Sequence, residues 1–275
     1  MRQYLIGGLR FLVVSAGVIV FTSISIDATE FMRGSQSALG VFVTRIVTPS
    51  CPVGMVEVER TDRSLFCIDT YEVSAHDDCI YPQPGSAIES AANVNDPDCV
   101  GVSVGSTRPW THVLQTQAEQ ICARSGKRLP TAAEWYLAAR GTPDSVKVCN
   151  LDGGPLLTGS RDQCVAGSGA FDMVGGVWEW VSERVTDGRL GEQGLPSEGY
   201  ITSVDGDGVA VMSSTSPNLA FNSDYVWSKA AGQYAAMRGG FYGSRTDGGV
   251  FALHGATPLD LAASTVGFRC VLSRL

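Results

Sequence analysis

A strongly apolar, uncharged stretch occupies residues 11–26 and follows Arg2 and Arg10. Basic residues ahead of an apolar run are typical of a signal peptide. The stretch is shorter than the roughly 20 residues that a membrane-spanning helix needs, and an uncleaved anchor or a buried helix are the alternatives. We predict that residues 1–28 are a signal peptide or signal anchor that exports the rest of the chain, followed by a linker over residues 29–50.

Beyond residue 50, apolar positions recur in short groups between turns. Residues 66–73 are rich in aromatic and β-branched side chains, which predicts a strand or hairpin. Residues 79–107 and 143–170 are rich in turn-forming residues such as Gly, Asp and Pro, so we predict loops there. After Val174 the pattern predicts short strands between turns.

Two helices are predicted between these loops. Residues 116–119 have the Thr-x-x-Glu spacing of a capping box, with an earlier start near Thr111 as the alternative, and the helix ends at Gly126. Residues 131–134 repeat the spacing ahead of a second helix, which ends at Gly141. Two early helices followed by short strands and many loops indicate an α+β domain over residues 51–275.

The composition agrees with a folded, acidic domain. Hydrophobic residues make up 44% of the chain, which is enough for a core, and the formal charge is −8. A nucleic-acid-binding protein needs a basic face, and neither the composition nor any charge run provides one. We therefore expect no nucleic-acid partner.

All eight cysteines lie beyond residue 50, and an even number in an exported chain suggests four disulfides. Metal binding is the competing interpretation, but the sequence has no Cys-x-x-Cys and no Cys/His pair at ligand spacing. A bond between Cys122, on the first predicted helix, and Cys270, on the last strand, would close a very long loop. The other predicted disulfide cysteines, whose pairing stays open, are Cys51, Cys67, Cys79, Cys99, Cys149 and Cys164.

Four segments share a pattern with one family, in the same order: residues 126–135, 169–180, 238–240 and 267–270. They resemble the formylglycine-generating enzyme, or sulfatase-modifying factor, domain, which is a variant of the C-type-lectin fold. The resemblance covers residues 51–275 and implies a loop-rich, disulfide-stapled α+β domain of the C-type-lectin-like type. The residues expected to anchor the core or fasten loops are Trp135, Trp178, Trp180, Arg128, Arg238 and Arg269.

Catalytic members of this family bind copper through two cysteines that follow a Gly-Gly pair, and soft thiolates select Cu(I). Placed by the Gly-Gly pair at 239–240, those positions are Ser244 and Gly249 here, and residues 238–269 contain no cysteine. The resemblance therefore implies a protein that is not a copper-dependent enzyme. No nucleophile elbow, P-loop or Rossmann fingerprint offers another chemistry.

The family's structural calcium site is expected near the central loop, where Gly176 replaces an asparagine. That replacement removes a side-chain ligand, so we predict no metal and no cofactor, apart from a weak structural calcium site built from backbone carbonyls. Residues 205–208 are acidic but lack the spacing and the closing Glu of an EF-hand loop. We predict a plain turn there.

The closing segment is similar to the C-terminus of variable proteins of diversity-generating retroelements, in which framework pieces alternate with variable patches. Copying errors at template adenines turn Asn codons into many residues, but not into Lys, Glu, Gln, Trp or Met. Residues 239–269 contain none of these types. The similarity implies a variable ligand-binding region over residues 238–272, and the alternative is a short Gly- and Ala-rich run of strands and turns.

The similarity places the ligand-binding side chains in two patches. The first patch is Phe241, Tyr242, Ser244, Arg245 and Thr246, and the second is His254, Thr257, Leu259, Asp260 and Leu261. Tyr and Arg side chains suit recognition because they give a large contact area at a small ordering cost. We expect an exported, non-catalytic display protein that binds a protein or glycan ligand on another cell or surface. The alternatives are a non-diversified carbohydrate-binding or structural module and a sulfatase-modifying-factor-type enzyme with altered chemistry.

Overall fold

The computed structural model describes residues 51–274. The predicted signal peptide or anchor and the predicted linker lie outside these residues. Within the described residues, no helix is both long and apolar enough to cross a membrane.

Strands from the two ends of the domain form a small sheet. β1 (Met55–Glu59) pairs antiparallel with β2 (Leu65–Asp69), and β14 (Val271–Ser273) pairs antiparallel with the other side of β2. A separate ribbon joins β3 (Val73–Ala75) to β4 (Gly101–Ser103). The strands predicted from the aromatic and β-branched run are confirmed as parts of β2 and β3.

The segment 79–107 contains a helix and a strand, so the prediction of a loop there is wrong. The helix, α1 (Ala87–Asn95), begins after Ser86, whose hydroxyl oxygen accepts a hydrogen bond from the Glu89 N–H. Asn93 on this helix is buried, and its amide exchanges two hydrogen bonds with the backbone of the preceding loop. The Pro and Asp residues that suggested a loop flank the helix and do not interrupt it.

The two predicted helices are confirmed. α2 (Gln115–Arg124) ends ahead of Gly126, which has a φ of 67°. The capping box predicted at residues 116–119 is wrong, because the helix begins after Leu114, whose N–H donates to Gln117 Oε1 at 2.9 Å. α3 (Ala132–Ala139) has the predicted capping box. The Glu134 N–H donates to Thr131 Oγ1 at 3.0 Å, and the Thr131 N–H donates to Glu134 Oε2 at 2.9 Å.

The remaining strands form one nine-stranded sheet. They are β5 (Trp178–Thr186), β6 (Arg189–Leu190), β7 (Gln193–Gly194), β8 (Gly199–Val204), β9 (Ala210–Ser214), β10 (Tyr225–Trp227), β11 (Gln233–Arg238), β12 (Leu253–Thr257) and β13 (Val266–Gly267). The order is β7-β6-β5-β11-β12-β10-β8-β9, with β13 parallel to β5. β11 and β12 pair with each other inside the sheet, and their other edges pair with β5 and β10. Residues 239–252 therefore leave the sheet from one paired strand and return to it in the next.

Two apolar clusters fill the domain, and the tryptophans predicted as core anchors lie in them. Trp135 and Trp180 are fully buried and Trp178 is 5% exposed. Trp135 packs in one cluster, and the other two pack in the second. Nearby, the half-exposed Arg128 forms a bidentate pair with Glu134, with both N–O distances at 2.7 Å. These residues have the structural roles expected from the sequence.

Four disulfides connect the loops to these elements: Cys51–Cys67, Cys79–Cys99, Cys122–Cys270 and Cys149–Cys164. The predicted Cys122–Cys270 bond is confirmed and joins residues that are 148 positions apart. It ties α2 to the residue that precedes β14. A disulfide framework of this kind is typical of exported proteins.

Candidate functional site

Arg269 fastens the end of the closing segment to the core. Its guanidinium donates to both carboxylate oxygens of Glu179, at 2.7 and 2.6 Å, and to the carbonyls of Asp69 and Phe171, at 2.9 and 2.8 Å. Trp135 Nε1 donates to the same carboxylate at 2.6 Å. Both members of the ion pair are buried, at 0% and 1% exposed. The buried charges are therefore paired and hydrogen-bonded, which makes this corner rigid.

Arg238 fixes the start of the closing segment in a different way. It is fully buried and donates to the carbonyls of Gly208, Val250 and Phe251, at 2.8, 3.2 and 3.4 Å. Its guanidinium carbon lies 5.4 Å from the centroid of the Trp135 ring. Burial lowers the pKa of Arg238 to about 10, so the side chain stays charged at neutral pH. The expectation of loop-fastening arginines is met at both ends.

Two glycines turn the chain out of β11. Gly239 and Gly240 have φ values of 95° and 90°, a region that side chains disfavour. A Cβ on Gly239 would lie 2.8 Å from the Met173 carbonyl oxygen, and one on Gly240 would lie 2.8 Å from Gly248 Cα. The turn therefore requires glycine at both positions, and it leads directly into the first patch.

The first patch begins with a closed turn at Phe241. Ser244 Oγ accepts a hydrogen bond from the Phe241 N–H at 2.9 Å, and the Ser244 N–H donates to the Phe241 carbonyl at 2.9 Å. The rings of Phe241 and Tyr242 are 5.3 Å apart in an edge-on contact. All three side chains are half-buried. Ser244 thus shapes the turn, and the two aromatic rings keep part of their surface accessible.

The rest of the first patch is exposed. Arg245 has a φ of 53°, and its side chain is 75% exposed, with Nε 3.7 Å from the Asp152 carboxylate. Thr246 is also exposed. Ion pairs at this exposure contribute little to stability, so the Arg245 guanidinium can exchange Asp152 for a ligand group at small cost.

The second patch begins on β12 and continues into the following loop. His254 is half-buried, while Thr257 is fully buried and places its Oγ1 2.7 Å from His254 Nδ1. The expectation that Thr257 contacts ligand directly is corrected, because strand alternation turns this side chain into the core. Leu259 and Asp260 are exposed, and Leu261 is half-buried against the second core cluster.

A row of aromatic side chains, which sequence reasoning missed, adjoins the second patch. His254 stacks on Trp227, with centroids 5.1 Å apart and planes at 17°. Tyr225 lies 4.7 Å from Trp227 and 5.1 Å from Tyr200, centroid to centroid. All four are half-buried, whereas the intervening Val226 is fully buried. This alternation in β10 was the signal that could have revealed the row.

The same core cluster lies beneath both patches. Trp227, Phe241 and Leu261 all pack against it. We call residues 241–246, residues 254–261 and the aromatic row together the C-terminal face. Within this face, burial lowers the pKa of His254 to about 4, so the imidazole is neutral at neutral pH.

The domain can now be placed among known proteins. A family model described as "Sulfatase-modifying factor enzyme 1-like domain" matches residues 22–152 and 163–274. The chain belongs to this family. The family match and the observed arrangement of strands, helices and disulfides confirm the predicted fold class.

Similarity to individual relatives is partial. Formylglycine-generating enzyme of Mus musculus is 27% identical over 195 residues, which cover 62% of this chain and 45% of the mouse protein. Inactive C-alpha-formylglycine-generating enzyme 2 of Bos taurus is 30% identical over 121 residues, which cover 36% of this chain and 40% of the bovine protein. The chain thus spans less than half the length of these relatives. The solved Major Tropism Determinant P3c Variant superposes with a TM-score of 0.47 at 17% identity, covering 82% of this chain and 54% of that one.

The positions that the sequence resemblance assigns to the family's copper cysteines, Ser244 and Gly249, carry no thiol. Ser244 closes the turn at Phe241, and Gly249 is buried. A Cβ on Gly249 would lie 2.1 Å from Asp224 Oδ1 and 2.5 Å from Asp144 Oδ2. A cysteine at 249 therefore has no room unless these carboxylates move. The eight cysteines of the chain are all in disulfides.

The central loop of the sulfatase-modifying factor domain carries a small acidic pocket. Glu72 and Asn150 each keep one buried side-chain oxygen, Oε1 and Oδ1, without a hydrogen-bond partner, and Asp172 lines the same pocket. A Cβ on Gly176 would lie 2.6 Å from Glu72 Oε1, so an asparagine here requires the Glu72 carboxylate to shift. Burial raises the pKa of Asp172 to about 6. Burial, and then the charges of Asp172 and Glu179, raise the pKa of Glu72 well above its ordinary value.

Two further expectations concerned a metal site elsewhere in the domain and the acidic segment 205–208. Within residues 51–274, no group of three or more His, Cys, Asp or Glu side chains is placed to hold a metal ion. The acidic segment 205–208 forms the expected turn between β8 and β9, in which Asp205 Oδ1 accepts from the N–H groups of Asp207 and Val209, at 2.9 Å each. The expectation of no cofactor, with weak calcium at most, stays a prediction.

Proposed function

We propose that this chain is an exported, non-catalytic ligand-binding protein that uses its C-terminal face for recognition, and that residues 238–272 are diversified between variants. The four disulfides support export. The ligand is a protein or glycan on another cell or surface. In this role the rest of the domain is a rigid scaffold, and the closing segment contacts the ligand.

The observation that carries the proposal is the occupation of the family's copper positions. Ser244 serves the turn, and the space that a side chain at 249 would need is filled by the carboxylates of Asp144 and Asp224. Copper chemistry needs two thiolates in this place. What the segment offers in their stead is a set of partly accessible aromatic, hydroxyl and guanidinium groups between buried anchors.

The chemistry of the face favours recognition of a surface over recognition of a small molecule. Aromatic rings and arginine dominate binding hot spots because they combine apolar area with hydrogen bonding and have few torsions to order. Phe241, Tyr242 and Arg245, which lie between the anchors Arg238 and Arg269, supply these groups, and Trp227 on β10 adds another ring.

Binding is tested with the full chain on glycan arrays and on immobilised cell surfaces. In a ligand-positive assay, we expect the triple variant Phe241→Ala/Tyr242→Ala/Arg245→Ala to lose at least about tenfold in affinity, because it removes three candidate contacts. Ile88→Ala is the matched control, since Ile88 is 83% exposed on α1, outside the C-terminal face. Equal affinity of the triple variant and the wild type would overturn the assignment of the face.

Diversification is tested in the genome. We expect a near-copy of the DNA that encodes residues 238–272, beside a reverse-transcriptase gene and differing from it only at adenines. Absence of such a copy from the complete genome would reject diversification and leave a fixed binding module.

The non-catalytic part of the proposal is tested by anaerobic loading with Cu(I) and incubation with a sulfatase-type cysteine peptide. We expect neither tight copper binding nor formylglycine by mass spectrometry, with a catalytic family member as the positive control. Product formed by the wild-type chain would refute this part of the proposal.

A further inference from the structure

Two carboxylates meet beneath the loop that joins the first patch to β12. Asp224 precedes β10, and Asp144 lies in the loop after α3. A Cβ on Gly249 would lie 2.1 and 2.5 Å from the two oxygens of Asp224 and 2.5 Å from Asp144 Oδ2. Three oxygens from two separate side chains therefore crowd the Cα of Gly249, which brings the two carboxylates close to each other.

The backbone satisfies only part of this oxygen cluster. The Val250 N–H and Asn222 Nδ2 donate to Asp144 Oδ2 at 3.0 Å each, and the Phe251 N–H donates to Asp224 Oδ2 at 2.7 Å. Asp224 is fully buried, and within residues 51–274 its Oδ1 has no hydrogen-bond partner. A buried carboxylate oxygen that faces a second carboxylate without a donor is costly. Among the described residues, the hydrogen bonds to the two carboxylates come from backbone N–H groups and the Asn222 amide, and none comes from a cationic side chain.

Burial raises the pKa of Asp224, and the charge of the buried Arg238 opposes that rise, but Arg238 forms no hydrogen bond with Asp224. Arg238 directs its guanidinium to the backbone carbonyls of Gly208, Val250 and Phe251. In the part of the chain that the structure describes, the guanidinium donates hydrogen bonds to backbone carbonyl oxygens alone. The unpartnered oxygen of Asp224 thus points to a ligand from outside the chain.

We propose that Asp144, Asp224 and the side-chain amide of Asn222 form a binding site for Ca²⁺. This ion takes six to eight oxygen ligands at about 2.3–2.6 Å, in flexible geometry. Asn222 presents its oxygen after a rotation of the amide, whose two ends are assigned from hydrogen bonds. Asp144 is half-exposed and Asn222 is exposed, so water completes the shell from the open side.

A cation at this place would link three separate parts of the fold. It joins the loop after α3, the segment before β10, and the start of the run into β12. In that run the Val250 N–H donates to Asp144 and the Phe251 N–H donates to Asp224. With only two carboxylates, the site fits the weak affinity of extracellular calcium modules, about 10⁻⁴–10⁻³ M. The site would stiffen the support of the C-terminal face whether or not that face binds a ligand.

The test measures thermal unfolding and CaCl₂ titration calorimetry on the full chain after removal of metals. We expect 2 mM CaCl₂ to raise the Tm of the wild type by about 3 °C at constant pH. Asp144→Asn should lose at least about tenfold in calcium affinity and most of the rise in Tm, because the amide still accepts the Val250 N–H but removes a charged ligand. Asp77→Asn, which changes an exposed carboxylate elsewhere, is the matched control and should behave as wild type.

A third variant, Asp172→Asn, separates this site from the acidic pocket near Gly176. Retention of the calcium effect in Asp172→Asn and its loss in Asp144→Asn supports the proposal. The reverse result places the ion in that pocket and overturns it. A Tm that responds to pH but not to calcium identifies a shared proton between the carboxylates and overturns it as well.

Discussion

The anchors of the closing segment and the residues between them differ in how their polar groups are satisfied. Arg269 is fully buried and has a carboxylate and carbonyl partners, while the Arg245 side chain is 75% exposed, with its Nε 3.7 Å from the Asp152 carboxylate. Removing a partner from a buried charge costs several kcal/mol, whereas exposed ion pairs contribute little. Stability is therefore concentrated in the anchors, and the surface between them is free to vary.

The largest effect is expected at the buried anchor. Arg269→Met leaves the Glu179 carboxylate buried without its cation and should lower the free energy of unfolding by about 3–5 kcal/mol. Chemical denaturation measures this change. The double variant Glu179→Gln/Arg269→Met removes both charges and should recover part of the loss. A loss below about 1 kcal/mol in the single variant contradicts the role of Arg269 as an anchor.

The disulfide beside this anchor should rank second. Cys122→Ala/Cys270→Ala should lower the free energy of unfolding by about 2–5 kcal/mol. Cys149→Ala/Cys164→Ala is the internal control, because that bond spans 15 positions instead of 148. Loop-closure entropy predicts a difference of about 2 kcal/mol between the two variants. Equal losses would show that Cys122–Cys270 does not act by closing a long loop.

His254 should give an intermediate, pH-dependent effect, since it belongs to the face but is largely covered. Its folded pKa of about 4 lies below the ordinary 6.5, so the unfolded chain binds the proton first. Above pH 6.5 the imidazole is neutral in both states and does not lower the free energy of unfolding. As the pH falls from 6.5 towards 4, the unfolded chain binds a proton that the folded chain does not, and the free energy of unfolding decreases.

Between pH 7 and pH 5, we expect the wild type to lose about 1–2 kcal/mol more unfolding free energy than His254→Phe, which keeps a ring against Trp227. Asp172, with its raised pKa, has the opposite dependence but is present in both proteins. Parallel pH profiles in denaturation experiments would contradict a neutral, desolvated imidazole.

The smallest effect on stability is expected at the exposed positions. Arg245→Ala and Thr246→Ala should each change the free energy of unfolding by less than about 0.5 kcal/mol, because neither side chain is buried. The same variants should alter ligand binding in the array assay. A large loss of stability at either position would remove the distinction between anchor and surface.

The sequence predicted the parts of the fold that depend on local patterns or on ordered motifs. The capping box of Thr131 and Glu134 formed as expected, and the predicted Cys122–Cys270 bond ties α2 to the residue that precedes the last strand. The helix α1 was missed because frequent turn residues on both sides hid the cap at Ser86. Composition averages over a window, while a helix start depends on one side chain.

The candidate site was predicted less completely. Strand alternation turned Thr257 inward, and register placed Trp227 beside His254, although Trp227 lies outside the segment that suggested the patches. A prediction based on one segment cannot include a neighbour that another strand supplies. The residues of the first patch, by contrast, follow directly on a Gly-Gly turn that the motif itself contains.

The sequence by itself determined the family, the capping box of α3, the even set of cysteines and the lack of thiols at the copper positions, because each depends on residue identity at short or fixed spacing. Only the tertiary structure decided which patch residues are accessible and which carboxylates meet at Gly249. Asp144 reaches the Val250 N–H across 106 positions of chain. Contacts between residues so far apart in the chain depend on how the loops and strands pack, so a local sequence pattern does not predict them.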